Sequence, residues 1–372
     1  MSGRWGTIGT AIRQLPDRGY RMKDTSNFDV TLLGGSRQSI RPAQFHAMKT
    51  PIRLVALCLA VTAIQAFAVE VETNSTPSKN VALVEVHSTA SKNVALVESE
   101  SSVSFEFDAE AAYFGDGDLE RGETGTVTIN DFDGAQARVR FVLTPRTKIG
   151  ILRMGVQTEA YSFGFGGTAA IPDDLHSTNL IIGLDTELSD SFLIRVEAQP
   201  GFYGTDFDDF GQDTFNVPFI LGGTYIFNSG FQVVFGIGFD ALRQSPVLPG
   251  GGIRWKFAPK WTLNAVVPTP RLEYELSESC MLYGGADLRL SSYRVEKNFG
   301  TLRGNTALNH AAISYEELRM GGGFEWKLST AFKLSAKGGY IPFRNFDFHR
   351  TQVRYHQNGG VPYARVGFHA AF

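Results

Sequence analysis

The sequence lacks three features that would place it in a common class of protein. Beyond residue 68, no stretch is apolar for the roughly 20 residues that a membrane-spanning helix needs. Only one cysteine, Cys280, remains beyond that position, so no intrachain disulfide can form there. Residues 1–68 hold 9 of the 35 basic and 3 of the 38 acidic residues, which leaves 26 basic against 35 acidic residues. This acidic balance argues against nucleic-acid binding, which needs a basic surface.

Motifs for a nucleotide, a metal or a catalytic nucleophile are also missing. The glycine-rich residues 164–167 and 236–238 are not followed by the helical pattern that a phosphate-binding loop requires. His176 adjoins Ser177, but neighbours on a strand point to opposite faces and do not form a nucleophile–base pair. The acidic residues 116–120 and 206–213 are predicted to form two loops, which offer oxygen ligands for Ca²⁺ without the EF-hand spacing. We therefore expect no catalytic residue, no metal site and no cofactor.

The first hundred residues divide into three segments. A basic start at Met48, the apolar run 54–64 and a small-residue site ending at Ala68 are typical of a secretory signal peptide over residues 48–68. Residues 1–47 are then expected to be a non-native or disordered upstream extension. Residues 69–102 contain a tandem repeat with a 13-residue period among Ser, Thr, Asn and Glu, which predicts a periplasmic linker.

From Val103 onward, apolar and polar residues alternate with the period of a β-strand. In residues 231–239, for example, Phe231, Phe235 and Phe239 share one face, with Gly236 and Gly238 on the other. Charged residues also recur two apart, which places each pair on one face of its strand. Such alternation fits an antiparallel sandwich as well as a barrel.

The connections between strands favour a barrel over a sandwich. Turns 189–191, 228–230, 258–260 and 329–331 are short, and each lies between apolar or aromatic residues. The alternate connections 164–176, 204–213, 296–309 and 342–360 are longer and rich in Gly, Asp, Asn and His. Bacterial outer-membrane barrels have short periplasmic turns, long outer loops and an even number of strands. The pattern predicts an all-β, up-and-down barrel over residues 103–372 with about 14 strands, and 12 to 16 are compatible with it.

Aromatic residues mark one end of the predicted barrel. Trp255, Trp261 and Trp326 lie within about three residues of a short turn, as in an aromatic girdle at a membrane–water interface. The last strand alternates towards a terminal aromatic residue, with Phe368 and Phe372 on its apolar face.

These features resemble a family of bacterial outer-membrane β-barrel proteins that is classed as a domain of unknown function. The resemblance covers roughly residues 103–372 and rests on residues 188–192, 200–203 and 267–271 and on the terminal Phe372. It implies a transmembrane antiparallel barrel in the bacterial outer membrane, with membrane lipid and the barrel-assembly machinery as partners. It also implies that Phe368 and Phe372 act as the assembly signal. It supplies no substrate and no catalytic residue.

Three functions remain open on the sequence alone. A barrel of more than about eight strands leaves internal space, which favours a porin-like channel or a transporter of an unknown small solute. The alternatives are an outer-membrane enzyme active at the rim and a closed structural or adhesive barrel. The candidate lumen-lining residues are Arg138, Arg140, Arg195, Glu197, Arg254, Lys256, Asp287 and Arg289. They form either a wall that attracts anions or a lattice of ion pairs across strands.

Overall fold

The structure, a computed structural model, describes residues 103–122, 128–166, 169–206 and 211–372. The predicted upstream extension, signal peptide and linker, residues 1–102, lie outside the described residues. Among the described residues, no helix has the length and apolar character needed to cross a membrane.

Most of the described chain is β-strand. The strand segments are β1 (Val103–Arg121), β2 (Thr128–Thr147), β3 (Gly150–Gly164), β4 (Asp174–Ser189), β5 (Phe192–Ala198), β6 (Gly201–Gly204), β7 (Phe215–Asn216), β8 (Phe219–Asn228), β9 (Phe231–Phe239), β10 (Val247–Ala258), β11 (Trp261–Asn264), β12 (Arg271–Glu275), β13 (Cys280–Arg294), β14 (Ala312–Lys327), β15 (Phe332–Phe348), β16 (Val353–Asn358) and β17 (Val361–Ala371). The helical segments are the short helix α1 (Phe299–Leu302) and the 3₁₀ turns Gln212–Thr214 and Thr306–Leu308.

These segments form one closed antiparallel sheet. β5 and β6 both pair with β4 on the same side and together form one barrel strand. β7 and β8 form a second such strand, which pairs with β6 and β5. β16 and β17 form a third, which pairs with β15. Pro200 lies between β5 and β6, and Pro218 lies between β7 and β8. Each interrupts its strand because proline has no N–H to donate to the sheet. β1 pairs with both β2 and β17, and Phe105 and Phe372 exchange two backbone hydrogen bonds of 3.0 Å. The described residues therefore form a closed barrel of 14 strands, which confirms the predicted fold and strand number.

The two ends of the barrel differ as predicted. The described termini, Val103 and Phe372, lie at the end with the six short turns, which include 190–191, 229–230 and 259–260. The longer connections, including 165–173 and 295–311, lie at the opposite end. We call these the turn end and the loop end.

Two predicted loops are wrong. Residues 342–360 form the upper part of a hairpin, since β15 continues to Phe348 and β16 begins at Val353. The acidic residues 116–120 lie within β1 and not in a loop. In β15 the alternation shifts by one residue at a bulge beside Pro342, where Met320 is opposite Tyr340 but Leu318 is opposite Phe343. The shift hid the continuing strand from a period-two reading.

The faces of the sheet are inverted relative to a water-soluble protein. Large apolar side chains on the outer face are exposed, among them Val156, Ile182, Phe235, Trp326 and Val366. The opposite face carries the charged residues, and most of these are buried or half-buried. A sandwich would bury the apolar face, so an exposed apolar exterior around a polar interior indicates that lipid surrounds this barrel.

The strands also differ in length around the barrel. β1, β2, β3 and β4, and β13, β14 and β15, are each 15 to 20 residues long, whereas β11 and β12 have only 4 and 5 residues. We call the first group the tall wall and strands β8 to β12 the low wall. The interior is filled differently along these two walls.

Candidate functional site: the barrel interior

Aromatic side chains fill the interior behind the tall wall at the loop end. Phe346 of β15 contacts Phe163 of β3 edge-on, with ring centroids 5.2 Å apart, and Tyr315 of β14 lies 4.9 Å from Tyr161 of β3. These strands are not neighbours in the sheet, so the contacts cross the interior. We call this group the aromatic core. Its largest fully buried members are Tyr161, Tyr293, Tyr315, Phe114, Phe132, Phe346 and Phe348.

Outer connections extend the aromatic core. Phe299 of α1 stacks on Phe348 with centroids 6.0 Å apart. Arg303 donates 3.2 Å hydrogen bonds to the Asp173 carboxylate, which ties α1 to connection 165–173. Lys297 pairs with Asp213 at 2.7 Å, and this hydrogen bond lowers the pKa of Asp213 from its ordinary value. The connections thus pack over the core.

The barrel is also narrowed at the loop end. Arg294 at the end of β13 pairs in parallel with Gly204 at the end of β6. These strands stand on opposite sides of the closed sheet, with β7 to β12 between them on one side. Their contact separates the space behind the tall wall, which the aromatic core fills, from the space behind the low wall.

A layer of ion pairs lies next to the aromatic core on the turn-end side. Glu317 of β14 accepts hydrogen bonds from Arg319 and, at 2.9 Å, from Arg344 of β15, and all three side chains are fully buried. The faces of Phe114 and Phe132 also contact the Arg344 guanidinium, at 4.5 and 5.4 Å from the ring centroids. A single carboxylate is thus the ion-pair partner of two buried guanidinium groups.

The same layer joins strands across the interior. Glu110 of β1 accepts from Arg138 at 3.2 Å, from Arg289 and from Arg365 at 3.4 Å. Arg289 belongs to β13, and three barrel strands separate it from β1 along the sheet. Asp287 accepts from Arg365 at 2.9 Å, which links β13 to the strand that closes the barrel.

All eight candidate lumen-lining residues lie on the inner face and are in ion pairs. Their partners are Glu110 for Arg138, Asp108 for Arg140, Asp185 for Arg195, Arg153 for Glu197, Glu273 for Arg254, Glu275 for Lys256, Arg289 and Arg365 for Asp287, and Glu110 and Glu159 for Arg289. This arrangement is the ion-pair lattice rather than an unpaired wall of cations. Whether a solute contacts these residues stays a prediction.

Sequence reasoning missed the centre of the lattice. Glu317 and Arg344 were not among the candidates, and residues 342–360 had been predicted as a loop. Arg344, Phe346 and Phe348 lie two residues apart along β15, and this period of two indicates a strand. The proline at position 342 concealed that signal.

The low wall has an open inner surface. Its inward positions include Gly222, Gly236, Gly238 and Gly250, which share a face with Arg254 and the half-buried Gln232. A Cβ built at Gly222, Gly238 or Gly250 would meet a single backbone atom within 4 Å, at 3.6 to 3.9 Å. On the same face the side chain of Ile220 is 43% exposed. An apolar side chain exposed on the inner face means that the interior here is not filled by protein.

Other predicted features lie on the outer face or near the rim. Trp255, Trp261 and Trp326 are exposed on the outer face at the turn end. Phe368 packs 5.8 Å from Phe332, and Phe372 lies 5.4 Å from the same ring, beside the seam between β17 and β1. The girdle and assembly roles of these residues stay predictions.

Titratable groups at the rim form simple pairs. His310 lies 3.9 Å from Asp213, and His356 lies 3.6 Å from Glu120. Within the described part of the chain, no group of three or more His, Cys, Asp or Glu side chains has the arrangement of a metal site.

A closed sheet with an apolar exterior and a charged interior defines a transmembrane β-barrel. Residues 156–369 match the family described as "Domain of unknown function (DUF6268)", and the chain belongs to that family. The match confirms the resemblance drawn from the sequence.

Solved structures with similar strand arrangements have little sequence in common with the chain. An outer membrane channel from Pseudomonas putida F1 is 9% identical with a TM-score of 0.42, and the match covers 73% of this chain and 96% of that one. The Ralstonia pickettii toluene transporter TbuX is 10% identical with a TM-score of 0.38, and the match covers 74% and 90%. A FadL homologue from Pseudomonas aeruginosa is 8% identical with a TM-score of 0.34, covering 73% and 90%. No curated protein has a significantly similar sequence.

Proposed function

We propose that the protein is a selective channel or transporter for a small solute in the outer membrane of a bacterium. The predicted signal peptide and the lipid-exposed barrel support that location, because closed barrels satisfy every backbone group within a membrane. The tall-wall interior is blocked by the aromatic core, so a wide, water-filled pore does not fit it. The solute path in this proposal runs along the low wall.

One observation carries the proposal: the inner surface of β8, β9 and β10 has glycine where the tall wall has interlocking side chains. Gly222, Gly238 and Gly250 have ordinary backbone conformations and near-empty surroundings, so steric strain does not require glycine at these positions. Because this part of the inner surface has no side chains, it leaves space for a solute. Arg254 and Lys256 at the turn end of this surface give the path a polar exit.

The proposal is tested with substitutions that place larger side chains on the inner surface of the low wall. The mature protein would be purified, inserted into planar bilayers and liposomes, and assayed for unitary conductance and for swelling with small neutral sugars. We expect Gly238→Leu and Gly222→Leu to reduce both signals several-fold. The matched control is Gly284→Leu, on the outer face of β13, where an added Cβ meets one atom at 4.0 Å. Equal effects of the inner and outer substitutions would contradict a low-wall path.

The aromatic core favours a second candidate, a closed structural barrel. It buries rings from β1, β2, β3, β13, β14 and β15 in one cluster that spans the interior. Folded wild-type protein that shows neither conductance nor solute-dependent swelling would favour this function over transport. A rim-active enzyme remains the further alternative, and hydrolysis of added lipid or peptide by the same preparation would support it.

A further inference from the structure

Connection 240–246, between β9 and β10, crosses the loop end of the low wall. Arg243 in this connection pairs with Glu316 of β14, with 3.6 Å between Nη2 and Oε1. β11, β12 and β13 lie between β10 and β14 along the sheet, so the ion pair spans three strands. Arg243 is only 7% exposed, although it belongs to a connection at the rim. The connection is therefore folded down against β14 and does not extend into solvent.

The outer face of β13, β14 and β15 is polar and buried where the connection meets it. Nearer the turn end, the residues on this face are apolar and exposed, namely Leu282, Met320 and Phe324. At the loop end, the register places Ser292, Ser314, Glu316 and Asn345 on the same face, and we call these four residues the covered patch. Ser292, Ser314 and Asn345 are buried. β13 leaves β12 at its loop end and pairs with β6 there, so the covered patch faces the loop end of the low wall instead of lipid.

Polar atoms in the covered patch are poorly satisfied. Within the described residues, Ser292 Oγ, Ser314 Oγ and Asn345 Oδ1 have no hydrogen-bond partner. The Asn345 amide donates to Glu316 at 3.5 Å, which is the long limit of a hydrogen bond. A buried polar group without a partner is unfavourable, because burial removes its hydration without replacing it. Exposure of the covered patch to water would therefore offset the loss of one long ion pair.

The base of the connection is fixed more firmly than the rest of it. The Asp240 carboxylate accepts hydrogen bonds from the Asn216 amide of β7 at 2.7 Å and from the Leu242 N–H at 3.0 Å. The Asp240 N–H donates to the Pro246 carbonyl at 2.9 Å, which closes the connection at its base. Among the described residues, the side chains of residues 241–246 make one hydrogen bond or ion pair to another strand, the Arg243–Glu316 pair. Loss of this pair would free the connection to move about Asp240.

We propose that connection 240–246 is a gate at the loop end of the low-wall path, held closed by the Arg243–Glu316 pair. The proposal rests on the proposed function, since it regulates the same path. In the closed state Arg243 lies across the opening between β10 and β14 and shields the covered patch. When the pair breaks, the connection moves about its fixed base and water hydrates the covered patch. Glu316 is one-third exposed, so the pair is weak enough to break and re-form.

Gate opening is measured on the purified full barrel by labelling a cysteine in the covered patch. Cys280→Ser first removes the native thiol, and Ser314→Cys then reports how fast a water-soluble maleimide reaches the covered patch. We expect Arg243→Gln and Glu316→Gln each to raise the labelling rate several-fold, because either removes the ion pair. Arg243→Glu combined with Glu316→Arg exchanges the two charges and should restore slow labelling. The matched control is Arg303→Gln, which breaks a 3.2 Å ion pair with Asp173 over the tall wall and should label at the parent rate.

Planar-bilayer recordings connect this motion to the path, with the folding of each variant checked by heat-modifiable migration on gels. We expect Arg243→Gln and Glu316→Gln to raise the open probability several-fold and to leave the unitary conductance unchanged. A cleavable bis-maleimide that joins the thiols of Arg243→Cys and Glu316→Cys should lower the open probability until it is cut by a reductant.

The two readouts separate failure of the gate from failure of the proposed function. Labelling at the parent rate in Arg243→Gln and Glu316→Gln would overturn the gate, whatever the conductance. Faster labelling with an unchanged open probability would overturn it as well. Faster labelling in barrels that neither conduct nor allow swelling would overturn transport, and the mobile cover over the patch would stand.

Discussion

The buried Glu317 is expected to be the most stability-sensitive charged residue in the barrel. Its carboxylate accepts hydrogen bonds from Arg319, Arg344 and the Tyr315 hydroxyl, and no part of it reaches solvent. Glu317→Gln keeps the size and one acceptor oxygen but removes the carboxylate that, among the residues the structure describes, is alone in direct contact with the two arginines. Breaking a buried ion pair by removing one partner costs about 3–5 kcal/mol. Because two cations lose their partner here, we expect a loss near the upper end, about 5 kcal/mol.

Two further variants are expected to lose less stability than Glu317→Gln. Arg344→Met leaves the Glu317–Arg319 pair intact and removes one charged hydrogen bond, so we expect a loss of roughly 1–3 kcal/mol. Glu275→Gln removes an ion pair with Lys256 in which both side chains are 41% exposed, and such pairs contribute about 0–1 kcal/mol. The expected order of destabilisation is therefore Glu317→Gln, then Arg344→Met, then Glu275→Gln.

The assay is equilibrium unfolding of the purified barrel by urea in lipid vesicles, followed by tryptophan fluorescence and by heat-modifiable migration. The slope of the free energy against urea should match between variants, so that midpoints compare stability directly. A Glu317→Gln barrel within 1 kcal/mol of the wild type would refute the reasoning. That result would mean that water or a rearranged neighbour compensates the two guanidinium groups.

Three other predictions concern topology, processing and assembly. In the proposed orientation the turn end faces the periplasm, so after removal of Cys280 an impermeant thiol reagent on intact cells should label Arg350→Cys but not Ser229→Cys; the opposite pattern would reverse the barrel. Mass spectrometry of outer-membrane protein should show a mature chain beginning at Val69, and a start within residues 1–47 would contradict the signal-peptide prediction. Phe372→Asp should lower the amount of heat-modifiable barrel in the outer-membrane fraction, whereas Phe372→Tyr should not, because only the first places a charge at the seam on the lipid-facing side. Normal levels of the folded Phe372→Asp barrel would remove the assembly role.

The membrane-spanning part of the barrel was predictable because lipid imposes a simple rule on it. Each strand must turn an apolar side chain outwards at every second position, and Phe231 to Phe239 follow that rule without exception. Strand number, strand order and the grouping of short turns at one end all follow from applying this rule with the turn residues. The same rule predicted the inner face of the eight candidate residues.

The loop end was less predictable because it obeys different constraints. There the interior is filled with Phe346, Phe348 and Tyr355, so aromatic residues point inwards. The alternation of apolar and polar residues therefore no longer indicates which face of the strand is the outer one. A bulge beside Pro342 then shifts the alternation by one residue. A reading based on period two ends the strand at that point, which is why the upper hairpin was predicted as a loop.

Ion-pair partners could not be predicted, because alternation assigns a side chain to a face and not to a position across the lumen. Glu110 and Arg289 are 179 residues apart in sequence and meet only because the sheet closes. Arg365 reaches Asp287 because glycines at positions 321 and 339, which the coiling of the sheet requires, leave no side chain in its way. The requirement of sheet geometry for glycine thus produces a link between distant strands that no pattern along a single strand indicates.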